Sequence, residues 1–148
     1  MPQLYTLDSK SFRSVIHDLE RNNEDFITAL DRFIMLGVSI INNIDELREE
    51  IIDYNCIYQI LITDINFDFW LKVSNGIITY KKGINTEATF RVKYKKDILI
   101  RILKREMHGT DAFMKGKILV DGDLTQGLRF IKLFRLLIKF INNGKKRF

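Results

Sequence analysis

The sequence predicts an α+β fold: five strands forming a largely antiparallel sheet, broken by one helical crossover and covered by helices. Three observations carry that prediction. Residues 56–80 hold three β-rich runs joined by short turns, the pattern of an antiparallel meander. Residues 87–133 then switch apolar period from strand to helix, to strand, and to helix again. Helical spacing also fills the residues ahead of the strands, so the sheet has helical cover at both ends.

Phe12, Val15, Ile16 and Leu19 fall at i, i+3, i+4 and i+7, with Asp8 or Ser9 placed to cap a first amphipathic helix. Asn23 offers the cap of a second, in which Phe26, Ile27, Leu30, Phe33 and Ile34 form the apolar face and Gly37 is the expected stop. Ile44, Leu47 and Ile51 behind Asn43 give a third. Residues 56–63 are β-rich. Phe67, Phe69, Leu71 and Val73 alternate with Asp68, Trp70, Lys72 and Ser74, and Asp64-Ile65-Asn66 is the hairpin link between the two runs. Ser74-Asn75-Gly76 is the next turn and Ile77 opens the third strand. Ala88, Phe90, Val92 and Tyr94 alternate with Thr89, Arg91 and Lys93 to make the fourth, ended by Lys95 and Lys96. Ile98, Leu99, Ile102 and Leu103 recur at helical spacing, and residues 118–120 form the last strand before the turn Asp121-Gly122-Asp123. The final helix, residues 124–141, is apolar nearly all round, with Arg129, Lys132, Arg135 and Lys139 in one narrow stripe. Such a helix must either sit deep in the fold or meet a lipid, a membrane surface or another subunit.

At 148 residues the chain predicts one compact unit able to bury about two-thirds of its extended surface. A hydrophobic content of 46%, 29% charged residues and a single proline give no case for disorder. One cysteine, Cys56, excludes an intramolecular disulfide and fits a reducing compartment, so cytoplasmic localisation is expected. The first eight residues lack a signal-peptide pattern, and the longest charge-free apolar run, residues 33–44, is too short to span a bilayer. Net charge is +5, but residues 1–54 hold five Lys/Arg against eleven Asp/Glu while residues 124–148 hold seven Lys/Arg and no acid. A basic end of this kind faces phosphates or pairs with the acidic end, and charge alone does not choose.

Catalytic chemistry finds no foothold. His17 and His108 are far apart and belong to no HExxH or CxxC arrangement, so no metal site is predicted. Cys56 lies within a strand, where a free cysteine behaves as a small buried hydrophobe. Counting from Asp121, the sixth and twelfth positions are Gln126 and Lys132, which fails the EF-hand pattern twice. No phosphate-cradling glycine motif is present, and no catalytic residue or cofactor is expected. Aromatics and lysines interleave at residues 80–82 and 90–96, but the aromatics share an alternation with Ala88 and Val92 that marks core, so no nucleic-acid partner is expected.

The run Ala112-Phe113-Met114-Lys115-Gly116-Lys117-Ile118, followed by Val120, Gly122-Asp123 and Leu128, resembles the closing signature of the sterol carrier protein type 2 family. The resemblance extends upstream through YQILITD at residues 58–64, FWLKVSNG at 69–76, YKKG at 80–83 and ATF at 88–90, and spans residues 55–133. It implies a non-enzymatic intracellular lipid-binding or lipid-transfer protein whose five-stranded sheet and helices enclose an apolar tunnel for a fatty acyl, sterol-like or isoprenoid ligand. The matching tunnel positions are Phe90, Ile98, Ile102, Phe113, Met114, Leu124, Leu128 and Ile131. Packed core is the plain alternative for the same residues. Family members often carry Asn-Pro-Gln-Thr ahead of the Ala-Phe pair; this chain has His108-Gly109-Thr110-Asp111, and Lys115 where Gln often precedes Gly. The polar end of the ligand thus lacks a glutamine at Thr110, and Lys115 suits an anionic headgroup. The division expected is a helical extension over residues 1–42 and a lipid-binding unit over 43–148. Lys132, Arg135 and Lys139 are the residues expected to dock on anionic membranes. The second function class is a non-catalytic accessory or interaction module of an enzyme complex, for example in lipid or isoprenoid-quinone metabolism, and a homodimer fits either class.

Overall fold

The computed structural model describes residues 9–147, and the side chains of residues 14–136. Asp8 and the side chains of Phe12 and Lys139 lie outside the described residues. The chain runs α1 (Ser9–Leu19), α2 (Asn23–Asn42), α3 (Asp45–Glu50), β1 (Asn55–Ile62), β2 (Phe67–Ser74), β3 (Ile77–Lys82), β4 (Phe90–Tyr94), α4 (Lys96–Leu103), α5 (Gly109–Met114), β5 (Ile118–Asp121) and α6 (Leu124–Arg147).

The sheet order is β3-β2-β1-β4-β5. β1–β2, β2–β3 and β4–β5 pair antiparallel, and β1–β4 is the parallel pair that the crossover creates. This is the predicted five-stranded α+β sheet. Strand register places Tyr58 level with Leu71 and Phe90, and Ile60 level with Phe69 and Val92, so the apolar sets of three strands share one face. That face carries the core, together with Leu19 of α1, Phe26, Leu30, Ile40 and Ile41 of α2, and Leu133 of α6. On the other face Gln59 is the buried polar residue: its Nε2 donates to Phe69 O and Gly83 O at 3.0 Å each, and its Oε1 accepts from Asn85 N at 2.7 Å. Those bonds hold the loop after β3 against the sheet.

Two local expectations give way. Gly37 does not end the second helix; it is buried within α2, which continues to Asn42. A mid-helix glycine costs about 1 kcal/mol, and burial of Ile40 and Ile41 beyond it outweighs that. The cap of α2 is Asn22, whose side chain accepts from Asp25 N at 2.8 Å, one residue ahead of the expected Asn23. Residues 109–114 also fold as α5, a helix too short to reveal a period in sequence.

Candidate functional site

Six of the ten large apolar side chains exposed among the described residues lie in one segment, from Phe113 to Leu128. α5 supplies Phe113 and Met114, β5 supplies Leu119 and Val120, and the first two turns of α6 supply Leu124 and Leu128. The three elements are joined tightly. Lys117 N donates back to Ala112 O at 2.8 Å between α5 and β5, and Asp123 Oδ1 accepts from Gln126 N at 2.8 Å as the cap of α6.

Phe90 is the floor of this region. A Cβ on Gly122 would fall 2.5 Å from Phe90 Cδ1 and 3.0 Å from Thr89 O, and one on Gly127 would fall 3.2 Å from Phe90 Cζ. Only a glycine at 122 lets the β5–α6 turn close on that ring, with the φ of +141° as a second reason. At Gly127 a Cβ would press on the ring tightly enough that the ring must give by a few tenths of an ångström. Beneath α6 the ring of Tyr58 lies 5.0 Å from Phe130 and 6.2 Å from Phe90. Val120 is level with Val92, one pleat along from Phe90 on the same face, yet it stays exposed. The sheet is therefore open to solvent next to the seam that α6 closes.

The eight residues assigned to the ligand divide by depth. Phe90 and Ile98 are buried, Ile98 standing with Ala112 outside the main core cluster. Ile102 and Ile131 are half-buried. Phe113, Met114, Leu124 and Leu128 are 52%, 82%, 76% and 58% exposed, far above what packed core requires. One polar atom of this region, Gln126 Oε1, is buried without a hydrogen-bond partner, and the Tyr58 hydroxyl is buried beside the Cys56 thiol. Burial pushes the Tyr58 phenol far above its ordinary value, with the neighbouring Cys56 adding to the rise. Gln126 and Val120 were not among the expected ligand positions, although Val120 belongs to the run that resembles the family's closing signature.

A groove of about 340 Å³, wide open to solvent, follows α6 where it passes residues 50–54. Thr125, Leu128, Arg129 and Lys132 line it from α6. Arg129 Nη2 lies 3.6 Å from Asp53 Oδ2 with its guanidinium 5.0 Å from the Tyr54 ring centre, and Lys132 Nζ lies 3.2 Å from Glu50 Oε2. Lys104–Glu20 at 3.1 Å and Lys82–Asp31 at 3.6 Å repeat the pattern. The basic stripe of α6 thus pairs in part with the acidic N-terminal third. Arg135 is exposed, and Lys115 is exposed at the end of α5.

Burial pushes the Cys56 thiol up, the opposite of what a nucleophile needs. His17 and His108 are exposed, and no group of three or more His, Cys, Asp and Glu among the described residues is placed to hold a metal ion. What remains is a set of exposed apolar side chains on α5, β5 and α6, one buried unsatisfied carboxamide oxygen, and the cationic stripe of α6.

The sequence profile of the SCP-2 sterol transfer family matches residues 39–135. The chain belongs to the SCP-2 sterol transfer family. No curated protein matches it. Among solved structures it is similar to the apo form of sterol carrier protein 2 from Yarrowia lipolytica, with 16% identity and a TM-score of 0.59 over 74% of this chain and 89% of that one. It is similar to the UbiJ-SCP2 ubiquinone synthesis protein, with 16% identity and a TM-score of 0.55 over 72% of this chain and 87% of that one. A double mutant of the sec-alkyl sulfatase PisA1 reaches 25% identity and a TM-score of 0.59 over 70% of this chain, which spans only 16% of that enzyme. The five-stranded α+β sheet is thus the SCP-2 fold, and the match begins within α2, leaving α1 and most of α2 ahead of it. No described helix is long and apolar enough to cross a membrane.

Proposed function

We propose that this SCP-2 domain is a non-enzymatic carrier that holds the apolar chain of a lipid against α5, β5 and the first turns of α6. The observation that carries the reading is the exposure of Phe113, Met114, Leu124 and Leu128 on consecutive elements. Large apolar side chains gathered this way mark a binding surface. Each methylene they remove from water contributes about 0.8 kcal/mol, so an acyl chain of about fourteen carbons supplies on the order of 11 kcal/mol before ordering and association costs. Phe90 is the floor, Ile98, Ile102 and Ile131 border it, and the flexible Met114 adapts to ligands of different shape. The polar end falls near Gln126, whose free Oε1 accepts from a hydroxyl or a protonated acid, with Lys115 outside it for an anionic headgroup. The helices of residues 1–42 act as an extension packed on the lipid-binding unit of 43–148, and the cytoplasm is the compartment that the single, buried Cys56 fits.

Purified protein extracted into organic solvent and analysed by lipid mass spectrometry is expected to release a stoichiometric long-chain lipid. Protein that releases none, and that no fluorescent fatty acid enters, contradicts the reading.

The second reading, an accessory module of an enzyme complex, draws on the open form of the α6 groove and on likeness to the UbiJ-SCP2 ubiquinone synthesis protein and to one part of a sec-alkyl sulfatase. In it the same apolar surface presents or receives an alkyl chain for an enzyme.

A further inference from the structure

The lipid reading leaves β3 unused, at the rim of the sheet opposite β5. The N–H and C=O groups of Ile78 point away from β2, and the Asn42 carboxamide takes both: Ile78 N donates to Asn42 Oδ1 and Asn42 Nδ2 donates to Ile78 O, each at 2.8 Å. Strand alternation then places the N–H and C=O of Tyr80 and Lys82 on that same free edge. Gly83 N donates to Asp68 O at 2.8 Å, which confirms that the odd-numbered residues face β2. Gln59 holds Gly83 and Asn85, so the far end of the edge is fixed in place before any partner arrives.

Alongside this open half of β3 runs a groove of about 460 Å³, walled by α2. Met35, 57% exposed, and Val38 give the wall an apolar surface. Asp31 is already engaged, accepting from the Tyr80 hydroxyl at 2.7 Å and lying 3.6 Å from Lys82 Nζ. Lys81 projects on the other face of the strand and has no ion pair among the described residues.

We propose that this edge docks an extended acidic segment of a partner protein, added to β3 as a sixth strand. Up to four backbone hydrogen bonds to Tyr80 and Lys82 hold it, in the manner of β-strand addition. Opposite residues on paired strands share a face, so the residue facing Tyr80 sends its side chain towards Met35 and Val38 and must be apolar. The residue facing Lys81 points to the other side and must be acidic. A second copy of this chain is disfavoured, because antiparallel β3 against β3 over the open half opposes Lys81 with its own counterpart, and Asn42 blocks the half of the edge at Ile78.

The test uses a capped, fluorescein-labelled hexapeptide of alternating Asp and Ile, with an alternating Lys and Ile peptide as the comparison. Anisotropy titration is expected to show saturable binding of the acidic peptide at least tenfold tighter than the basic one. Bound peptide slows amide exchange of Tyr80 and Lys82 at least tenfold and leaves Ile78, already bonded to Asn42, unchanged. Lys81→Glu reverses the preference. Equal binding of the two peptides, unchanged exchange at Tyr80 and Lys82, or an unaltered preference in the charge-reversed variant each overturns the proposal. So does protection of those amides that arises on raising protein concentration alone, which assigns the edge to a second copy. Fatty-acid binding, followed in parallel, is expected to be unaffected throughout, so failure here leaves the lipid reading standing.

Discussion

Gly122 ties the chemistry of one residue to the geometry of the proposed site. Its φ of +141° lies outside the range of ordinary side chains, and a Cβ there meets both the Phe90 ring and the Thr89 carbonyl. Gly122→Ala is expected to cost about 2 kcal/mol or more, read as a lower urea midpoint at unchanged slope, since strained backbone and a core clash add. A midpoint within experimental error of the parent would mean that the β5–α6 turn does not rest on Phe90 as described. Residues at this scale were legible where one side chain had one job. Asp121-Gly122-Asp123 read as a turn from composition, and Asp123 proves to be the cap of α6. The buried partnerless Oε1 of Gln126 was not legible, because satisfaction of a polar group depends on what folds over it, which no local pattern encodes.

α6 is the element on which the functional reading turns. Its near-continuous apolar sequence predicted either deep burial or an outside apolar partner; the structure buries Leu133 and leaves Leu124 and Leu128 facing solvent. Sequence could not apportion those faces, since the side it buries is set by Gly127 closing on Phe90 and by Phe130 meeting Tyr58. The basic stripe was likewise legible as residues and ambiguous as function. Arg129 and Lys132 are engaged with Asp53 and Glu50, so among the described residues Arg135 is the exposed cation of the stripe with no ion pair. If the stripe docks on anionic membranes, Arg135→Glu should lower binding to phosphatidylserine vesicles at low salt at least tenfold, and by more than Lys132→Glu, whose ammonium is already shared. Equal binding by parent and both variants would remove membrane docking from the account.

For the whole molecule, the five-stranded sheet and its crossover were visible in period changes, because a half-buried strand and an amphipathic helix each write their burial into the sequence. The depth of the ligand positions was not, because a filled core, a hollow one and an uncovered one share the same apolar residues. Alkaline titration offers a global check on the packing. Burial pushes the Tyr58 and Tyr80 phenols well above their ordinary value of 10.0, at Tyr80 with help from the bond to Asp31. Both folded values exceed the unfolded ones, so above pH 10 the unfolded chain holds fewer protons than the folded one. Stability is therefore fully present below that pH and falls as pH rises beyond it. Absorbance of phenolate from these two residues should appear together with unfolding; appearance in the still-folded protein would contradict their burial.

The central claim, that the apolar surface of α5, β5 and α6 holds a lipid, is tested most directly by titrating a fluorescent fatty acid into the parent and into Leu124→Gln with Leu128→Gln. Both side chains are exposed, so the double variant should keep its stability within about 1 kcal/mol. The account predicts saturable binding to the parent and at least tenfold weaker binding to the variant. Binding of equal strength to both proteins would contradict it.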